Sequence, residues 1–246
     1  MDWILMDWIT ISLYYIILIH LTAVFVTISL HRFQSHGSVI LHPWVNHFMR
    51  FVIWINTGVN TKEWVAIHRR HHMFCDKPGD PHSPHVLGLK AIMLKGALIH
   101  YQAQKDEKIQ RAHGNGVLND WVERTVYIPH SDIGLLCLLA IECFLFGPVG
   151  FLLFFLKYFM CLYFAGSIVN GIGHWWGYRN YQCKDKSKNF SPIGLIIAGE
   201  ELHNNHHGNP QNPQFSKRWF EFDIAWIYIR ILQVLKLASI PSQPTR

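Results

Sequence analysis

The sequence predicts an all-α integral membrane protein with about three transmembrane helices and a helical cap on the cytoplasmic side. Half of the residues are hydrophobic and only 15% are charged, which is more typical of membrane proteins than of soluble ones. Two long apolar segments supply the predicted spans. The chain also holds 17 histidines, and about half of them fall into short clusters outside the apolar segments. The cap is expected to carry these clusters.

The first apolar segment covers residues 9–30 and contains a single ionisable side chain, His20. It is long enough to cross the hydrocarbon core of a bilayer. A secretory signal peptide begins with positive charge, whereas the first Lys or Arg of this chain is Arg32. The segment is therefore predicted to be a retained transmembrane helix.

The second apolar segment covers residues 133–170 and is interrupted by FGPVG at 146–150. Gly147 and Pro148 predict a tight turn between two antiparallel membrane helices. A third, weaker segment at 43–59 contains Asn, His and Arg side chains. We expect it to form an amphipathic helix that lies at the interface or packs on the cap without crossing the membrane.

Three spans place the remaining segments on one side of the membrane. That side carries 21 of the 22 Lys and Arg residues, and the positive-inside tendency predicts that it faces the cytoplasm. The chain is predicted to be one domain, 1–246, with approximate spans at 9–30, 131–147 and 148–170 and a cap from 31–130 and 171–246.

Three histidine boxes lie in the predicted cap. The first is HRFQSH, and the second and third are HRRHH and HNNHH, which share the spacing H-x-x-H-H. Positions i, i+3 and i+4 share one face of a helix, so the three imidazoles of each of these two boxes are expected to point in one direction. Clustered imidazoles would repel one another if charged, whereas neutral imidazole nitrogens are favoured metal ligands. The boxes therefore predict metal ligation by His31, His36, His68, His71, His72, His203, His206 and His207.

The end of the hairpin adds two candidates, because Asn170 and His174 share a helical face where the second arm would leave the membrane. Nine imidazoles exceed the three or four protein ligands of a zinc site and suit two ions with four or five donors each. Imidazole ligands alone do not decide whether the metal is iron, zinc, copper or nickel. Such a pair of metals can activate either dioxygen or water.

Several other functions are disfavoured by the sequence. The formal net charge is +6, but the basic residues form no run, so a nucleic-acid partner is not expected and a membrane surface is. The five cysteines form no CxxC pair, and therefore neither a disulfide framework nor a cysteine-bound metal cluster is expected.

The boxes resemble those of the integral-membrane fatty-acid desaturases. EWVAIHRRHH, DPHSP at 80–84, GEELHNNHH and the N-x-x-x-H of Asn170 and His174 are similar to the acyl-CoA desaturase branch, and the similarity runs from about residue 20 to 235. The short segment before the first box resembles bacterial members. That resemblance implies the bacterial inner (plasma) membrane, with the active site on the cytoplasmic side.

The resemblance implies an enzyme with two iron ions that uses O2 and two electrons to introduce a cis double bond, commonly between carbons 9 and 10, into a long-chain acyl-CoA or acyl lipid. The boxed histidines and His174 would bind iron, and Asn170 would hold a metal-bound water. No catalytic residue is expected beyond the metal ligands.

Other roles are predicted from position. Glu200 precedes His203 by one helical turn and is expected to orient an imidazole. Trp64 and Glu63 precede the second box and are candidates for the substrate path. Counting back from His31 in steps of four gives a helical stripe for the acyl tunnel, formed by Thr27, Ala23 and Ile19.

Two alternatives remain at the level of sequence. A membrane hydroxylase or monooxygenase of alkanes, sterols or carotenoids shares the histidine chemistry, although its first box usually has three intervening residues where this one has four. A metal-binding or transport protein would require polar groups within the spans. Away from their ends, the spans carry only His20, Glu142 and Lys157 as candidates.

The electrons must come from another protein. The chain has no G-x-G-x-x-G dinucleotide motif and no cysteine set for an iron–sulfur cluster. A separate ferredoxin, rubredoxin or cytochrome is therefore expected to dock on the cap.

Overall fold

The computed structural model describes residues 7–241, which are mostly helical. The α-helices are α1 (Trp8–Phe25), α2 (Pro43–Thr57), α3 (Thr61–Phe74), α4 (Pro84–Leu87), α5 (Leu89–Gln104), α6 (Glu107–His113), α7 (Ser131–Tyr163), α8 (Gly173–Trp175), α9 (His203–Gly208) and α10 (Ile224–Val234). Three wider-turned π-helical segments are π1 (Val26–Ser35), π2 (Glu123–Tyr127) and π3 (Phe164–Ile172). Two pairs of two-residue strands complete the fold: β1 (Ile40–Leu41) with β4 (Ala238–Ser239), and β2 (Ile193–Gly194) with β3 (Phe222–Asp223).

The first apolar segment forms one continuous helical rod, α1 followed by π1. Asp7 caps its start by accepting a hydrogen bond from the backbone of Ile9. Side chains such as Ile16 on the outer side of α1 remain largely exposed, as a lipid-facing surface requires. The rod ends in π1, which buries His31 at the inner end of the segment. Because π-helical turns are rare and are frequent at functional sites, this segment is a candidate functional site.

The chain reverses direction inside α7, as the FGPVG motif predicts. Gly147 has a φ of 60° and a ψ of −141°, which only glycine adopts readily and which breaks the helix in two. The Lys157 ammonium lies 2.9 Å from the Glu142 carboxylate. Fifteen residues of straight helix would separate these two positions by about 22 Å. The two arms therefore lie side by side.

Two segments are long and apolar enough to span a membrane by length and composition, residues 8–35 and 131–175. The second contains the reversal at Gly147. These findings agree with the predicted membrane helices, whereas the number of crossings and the assignment of the cap remain predictions.

The amphipathic segment forms α2, whose polar side chains face inward. Asn46 accepts a hydrogen bond from the Ser29 hydroxyl on π1, and Arg50 forms ion pairs with Asp120 and Glu123. These contacts explain why an otherwise apolar helix contains Asn and Arg. They join α2 to both the first rod and the loop before the hairpin.

Buried side chains from distant parts of the chain lock the cap around π1. The main apolar core includes Val24 and Ile28 of the first rod together with Ile229 of α10. Arg32 is fully buried and donates to the carboxylate of Asp223 at 3.0 Å. The C-terminal part of the chain is thereby fixed directly beside the first histidine box.

A close helix contact brings α5 against the end of the hairpin. A Cβ atom on Gly96 would lie 2.3 Å from the carbonyl oxygen of Gly166, so only glycine permits this approach. The contact places His100 of α5 and Asn170 of π3 on the wall of the same cavity.

Candidate metal centre

The nine predicted histidines lie together in the cap and separate into two groups. The first group has five members whose ligand atoms all lie within 4.8 Å of one another: His31, His36, His68, His72 and His206. The second has four members within the same limit: His71, His174, His203 and His207. Donor sets of five and four agree with the expectation of four or five donors for each of two ions.

Each H-x-x-H-H box contributes to both groups, which differs from the sequence interpretation. Three imidazoles at i, i+3 and i+4 were expected to point in one direction. Instead His72 belongs to the first group and the adjacent His71 to the second. Neighbouring helical positions differ by about 100°, and the two groups are close enough for one short helix to reach both.

The ring nitrogens within each group face one another at distances that suit a shared cation. In the first group the Nε2 atom of His206 lies 2.9 Å from Nε2 of both His31 and His72. In the second, Nε2 of His174 lies 2.9 Å from Nε2 of His203. Nitrogens bound side by side to one ion at about 2.1 Å lie about 3 Å apart, so the spacing fits.

The protonation of the imidazole rings also favours a bound cation in each group. His31 and His174 each donate their Nδ1 hydrogen to a carboxylate, which leaves Nε2 as an unprotonated lone pair when the ring is neutral. These two lone pairs point at other imidazoles of the same group and are available to a cation. The buried Nε2 of His207 likewise has no hydrogen-bond partner within the described residues. This donor chemistry fits a divalent transition metal in each group.

Glu200 does not lie on the helix of the third box and contacts a histidine of the first box. The sequence interpretation placed it one helical turn before His203 on the same face, but α9 begins only at His203. Glu200 lies in the turn before this helix, where its Oε1 accepts the Nδ1 hydrogen of His31 at 2.7 Å. The Thr27 hydroxyl donates to the same oxygen. Glu200 therefore orients an imidazole, that of the first box.

Three aspartates play the same part in the second group, and the sequence interpretation did not assign them. The Nδ1 hydrogen of His174 is donated to Asp76 at 3.0 Å, that of His71 to Asp80 at 3.0 Å, and that of His207 to Asp185 at 3.2 Å. Such carboxylates fix the ring orientation and make the imidazole a better donor. Asp76 and Asp80 follow the second box within a few positions, in HHMFCDKPGD, whereas Asp185 has no such signal in the sequence.

The electrostatics of the cap favour neutral imidazoles. Burial, and next the neighbouring imidazoles, lower the pKa of several histidines well below 6.5, among them His36, His68, His72, His203, His206 and His207. Although burial alone would raise the pKa of the Asp80 carboxyl, the nearby His71 and its hydrogen bond lower it to about 2. The histidines are therefore neutral and the aspartate is charged near pH 7, as metal ligation requires.

Two further buried side chains border the second group. The Cys75 sulfur lies 3.7 Å from Nδ1 of His207, and burial raises the pKa of its thiol, which keeps it protonated. The ring of His82 packs 4.5 Å from that of His71. Neither residue was predicted at the site, and the proximity of DPHSP to the second box was the only signal.

Asn170 lies on the cavity wall and outside both histidine groups. Its amide nitrogen donates to the carbonyl oxygens of Ala165 and Gly166 at 3.2 Å. A role for Asn170 in holding a metal-bound water remains a prediction.

An apolar cavity of about 270 Å³ adjoins both histidine groups. Its wall includes His31 and His68 of the first group and His71 and His203 of the second. Four residues predicted for the substrate path line it, namely Ile19, Ala23, Thr27 and Trp64, whereas Glu63 is not among its lining residues. Trp64 also stacks on His68, with ring centroids 5.1 Å apart and an interplanar angle of 12°.

Comparisons with known proteins agree with this geometry. The fatty acid desaturase family model matches residues 6–230. The chain is 27% identical over 229 residues to delta-9 acyl-lipid desaturase 1 of Arabidopsis thaliana, covering 90% of this chain and 72% of the plant protein. It is also 27% identical to icosanoyl-CoA 5-desaturase of Limnanthes douglasii, covering 89% and 61% of the two chains. A third relative, at 27% identity with 87% and 57% coverage, is the chloroplastic palmitoyl-monogalactosyldiacylglycerol delta-7 desaturase of Arabidopsis thaliana. The family match covers nearly the whole chain, and the chain therefore belongs to the fatty acid desaturase family.

Proposed function

We propose that this chain is a membrane-bound di-iron fatty acyl desaturase that introduces a cis double bond between carbons 9 and 10 of a long acyl chain. The reaction converts CH2–CH2, O2, two electrons and two protons into CH=CH and two water molecules. Family membership supports desaturation of a fatty acyl group. The metal, the bond position and the use of O2 are our inference.

The observation that carries the proposal is the convergence of nine imidazoles beside one apolar cavity. The residues proposed to hold the two irons are His31, His36, His68, His72 and His206 for one ion and His71, His174, His203 and His207 for the other. Asn170 is proposed to act through a water. Iron bound in these groups would use O2 to remove hydrogen from an unactivated methylene, which side-chain acids and bases cannot do.

The protein's own groups prepare the site for this chemistry. Glu200 and the three aspartates hold four imidazoles in one orientation, so that their Nε2 atoms point inward without rearrangement. The cavity wall is largely apolar and excludes water from the position of the acyl chain. The histidine groups reach the cavity from one part of its wall, which limits the reaction to the methylenes beside them.

The proposed substrate is a long-chain acyl group, in CoA or lipid-linked form. The named relatives act at carbons 9, 7 and 5, and their names include both acyl-lipid and acyl-CoA substrates. A largely apolar cavity that accommodates the acyl chain is compatible with either carrier. The tunnel is proposed to follow Ile19, Ala23 and Thr27 past Trp64.

The proposed membrane arrangement is one domain, 1–246, with spans near 9–30, 131–147 and 148–170. The reversal at Gly147 and the apolar outer side of α1 support it. The cap, 31–130 and 171–246, would then lie on the cytoplasmic side of the membrane. Electrons would reach the cap from a separate ferredoxin, rubredoxin or cytochrome.

Lipid analysis in a host without desaturases tests the proposal. Membranes that contain the wild-type chain should accumulate cis-monounsaturated acyl groups, and mass spectrometry of derivatised double bonds gives their position. His206→Ala should form none, and His130→Ala should match the wild type because His130 is exposed and far from both groups in sequence. Hydroxylated chains would instead favour a monooxygenase, and unchanged lipids in the presence of folded protein, O2 and reductant would contradict an enzyme of this type.

A further inference from the structure

A basic surface covers the second histidine group. We use the name basic face for its six side chains: Lys77, Lys184, Lys186, Lys188, Lys217 and Arg218. All except Lys188 are exposed, and Lys188 is half-buried. They come from three separate parts of the chain, so the local sequence does not show that they form one surface.

Contacts between these three parts show that the basic face is continuous. The backbone nitrogen of Lys186 donates to Asp76, the residue before Lys77. The Lys217 ammonium lies 3.5 Å above the ring of Tyr181, and Arg218 donates to the side chain of Asn180. The loop 180–188 therefore connects the other two parts.

The acidic residues of the same region are turned inward. Asp185 binds His207 and Ser187, and its side chain is only 14% exposed. Glu221 accepts hydrogen bonds from Tyr178 and from backbone nitrogens. Glu201 accepts from backbone nitrogens of the preceding turn. The positive charge at the surface is consequently not balanced by these carboxylates.

The basic face is also connected to the second histidine group by hydrogen bonds. Asp185 touches the Nδ1 atom of His207 directly. A second connection runs from the backbone of Lys186 through Asp76 to His174, by hydrogen bonds of 2.7 and 3.0 Å. Two hydrogen bonds thus separate an exposed lysine from a proposed ligand.

The substrate cavity does not reach this surface. None of the six basic side chains belongs to its wall, which is built mainly from α1, π1, α3, α7, π3 and the segment 196–203, with smaller contributions from α2, α5 and two loops. An acyl carrier must approach the mouth of that cavity. A partner bound at the basic face would instead lie next to the metal ligands and away from the acyl chain.

We propose that the basic face docks a separate acidic electron-carrier protein that transfers one electron per encounter. This inference rests on the proposed function, since only a redox enzyme needs such a partner. Each encounter oxidises the carrier by one electron and reduces the metal centre by one, so two encounters supply the two electrons of each double bond. Trp219, 95% exposed beside Arg218, provides an aromatic anchor next to the charges.

Charge reversal tests the docking surface. K184E/K186E and K217E/R218E remove four positive charges in two separate parts, and K62E/K108E is the matched control on exposed lysines of α3 and α6. The probes are two immobilised acidic carriers, a plant-type [2Fe–2S] ferredoxin and the soluble haem domain of a cytochrome b5. Electrostatically steered association depends strongly on such charges. For at least one of the two carriers, the affinity should therefore fall tenfold or more in each charge-reversed variant, and the affinity of the control variant should change less than twofold.

Two further measurements separate docking from chemistry. Zero-length carbodiimide cross-linking followed by mass spectrometry should join carboxylates of the carrier to Lys184 or Lys186. Dithionite, which needs no docking surface, should support equal alkene formation by all variants. If dithionite supports none in any variant, the proposed function fails while the binding result stands.

Three outcomes would overturn the docking proposal. They are equal carrier binding by all variants, no binding of either carrier to the wild type, and cross-links that avoid the basic face. A raised KM for acyl-CoA with unchanged carrier affinity would assign the surface to the acyl carrier instead.

Discussion

His31 donates its Nδ1 hydrogen to Oε1 of Glu200 across 2.7 Å, although 169 positions separate the two residues in the chain. This one hydrogen bond joins the end of the first apolar rod to the turn that leads into the third histidine box. It also fixes which nitrogen of His31 faces His206. The first metal group therefore depends on a contact between two parts of the cap that meet only in the folded protein.

Replacing Glu200 with Gln should weaken iron binding without unfolding the protein. The amide oxygen can still accept the Nδ1 hydrogen, but the charge that strengthens the imidazole as a donor is lost. Changes of this kind typically reduce metal affinity about 10- to 100-fold. Iron retention against a chelator measures the effect, and Glu63→Gln is the control because Glu63 is hydrogen-bonded to Asn60. Equal iron retention by Glu200→Gln and wild type would remove Glu200 from the site.

Ala23→Phe should shorten the preferred acyl chain. Ala23 lines the cavity, and a phenyl group there would occupy space for several methylenes. Each excluded methylene forfeits about 0.8 kcal/mol of burial, a roughly fourfold change in preference. The chain lengths of the unsaturated products measure this preference. Ile16→Phe, on the exposed side of α1, is the control. A folded, iron-loaded Ala23→Phe enzyme with unchanged products would place the tunnel elsewhere.

Lys157→Met should destabilise the hairpin strongly. The side chains of Glu142 and Lys157 are almost fully buried, and Tyr15 also donates to Glu142 at 2.9 Å. Removal of one partner leaves a buried charge, which typically costs about 3–5 kcal/mol. The double variant Glu142→Gln/Lys157→Met should recover most of the thermal stability in detergent, and Lys95→Met on exposed α5 should lose little. A tolerated single variant would show that the pair is not essential to the hairpin.

The metal-free protein should lose stability as the pH falls from about 8 to about 5. Burial lowers the pKa of histidines such as His72 and His206 well below 6.5, so the unfolded chain takes up their protons first. Their contribution to the free energy of unfolding is fully present above about pH 6.5, the pKa of an unfolded-chain histidine, and decreases as the pH falls toward the lower pKa of the folded state. One pH unit below the unfolded pKa, the loss is about 1 kcal/mol per histidine. Asp80, whose folded pKa is lowered to about 2, contributes stability that is lost only in stronger acid. Thermal unfolding midpoints across this range test the sign, and a flat profile would contradict it.

The sequence was sufficient to predict the features that depend on local patterns. Apolar length predicted the first rod, and Gly147 predicted the reversal. The spacing within the three boxes predicted eight of the clustered histidines, and the end of the hairpin supplied the ninth. Helical counting from His31 also reached three residues of the cavity wall, Thr27, Ala23 and Ile19, although the count passes from π1 into α1.

The remaining features depend on tertiary contacts. Asp76, Asp80 and Asp185 lie in loops, and no periodicity relates a loop carboxylate to the imidazole it will meet. The position of Glu200 was misjudged because the helix was assumed to begin before His203, and its contact with His31 joins residues 169 positions apart. Each H-x-x-H-H box is divided between the two groups because the groups lie close together. The spacing of residues along one helix does not reveal that proximity.

The most direct test of the account is the iron content of the purified protein, measured by mass spectrometry of the metal in wild type and three variants. We predict about two iron ions per wild-type chain, shared between donor sets of five and four imidazoles. His206→Ala from the first group and His71→Ala from the second should each lose at least one of them, and His130→Ala should lose none. A wild-type protein that binds a single metal, or two irons retained in both His206→Ala and His71→Ala, would contradict the assignment of the two histidine groups as the metal centre.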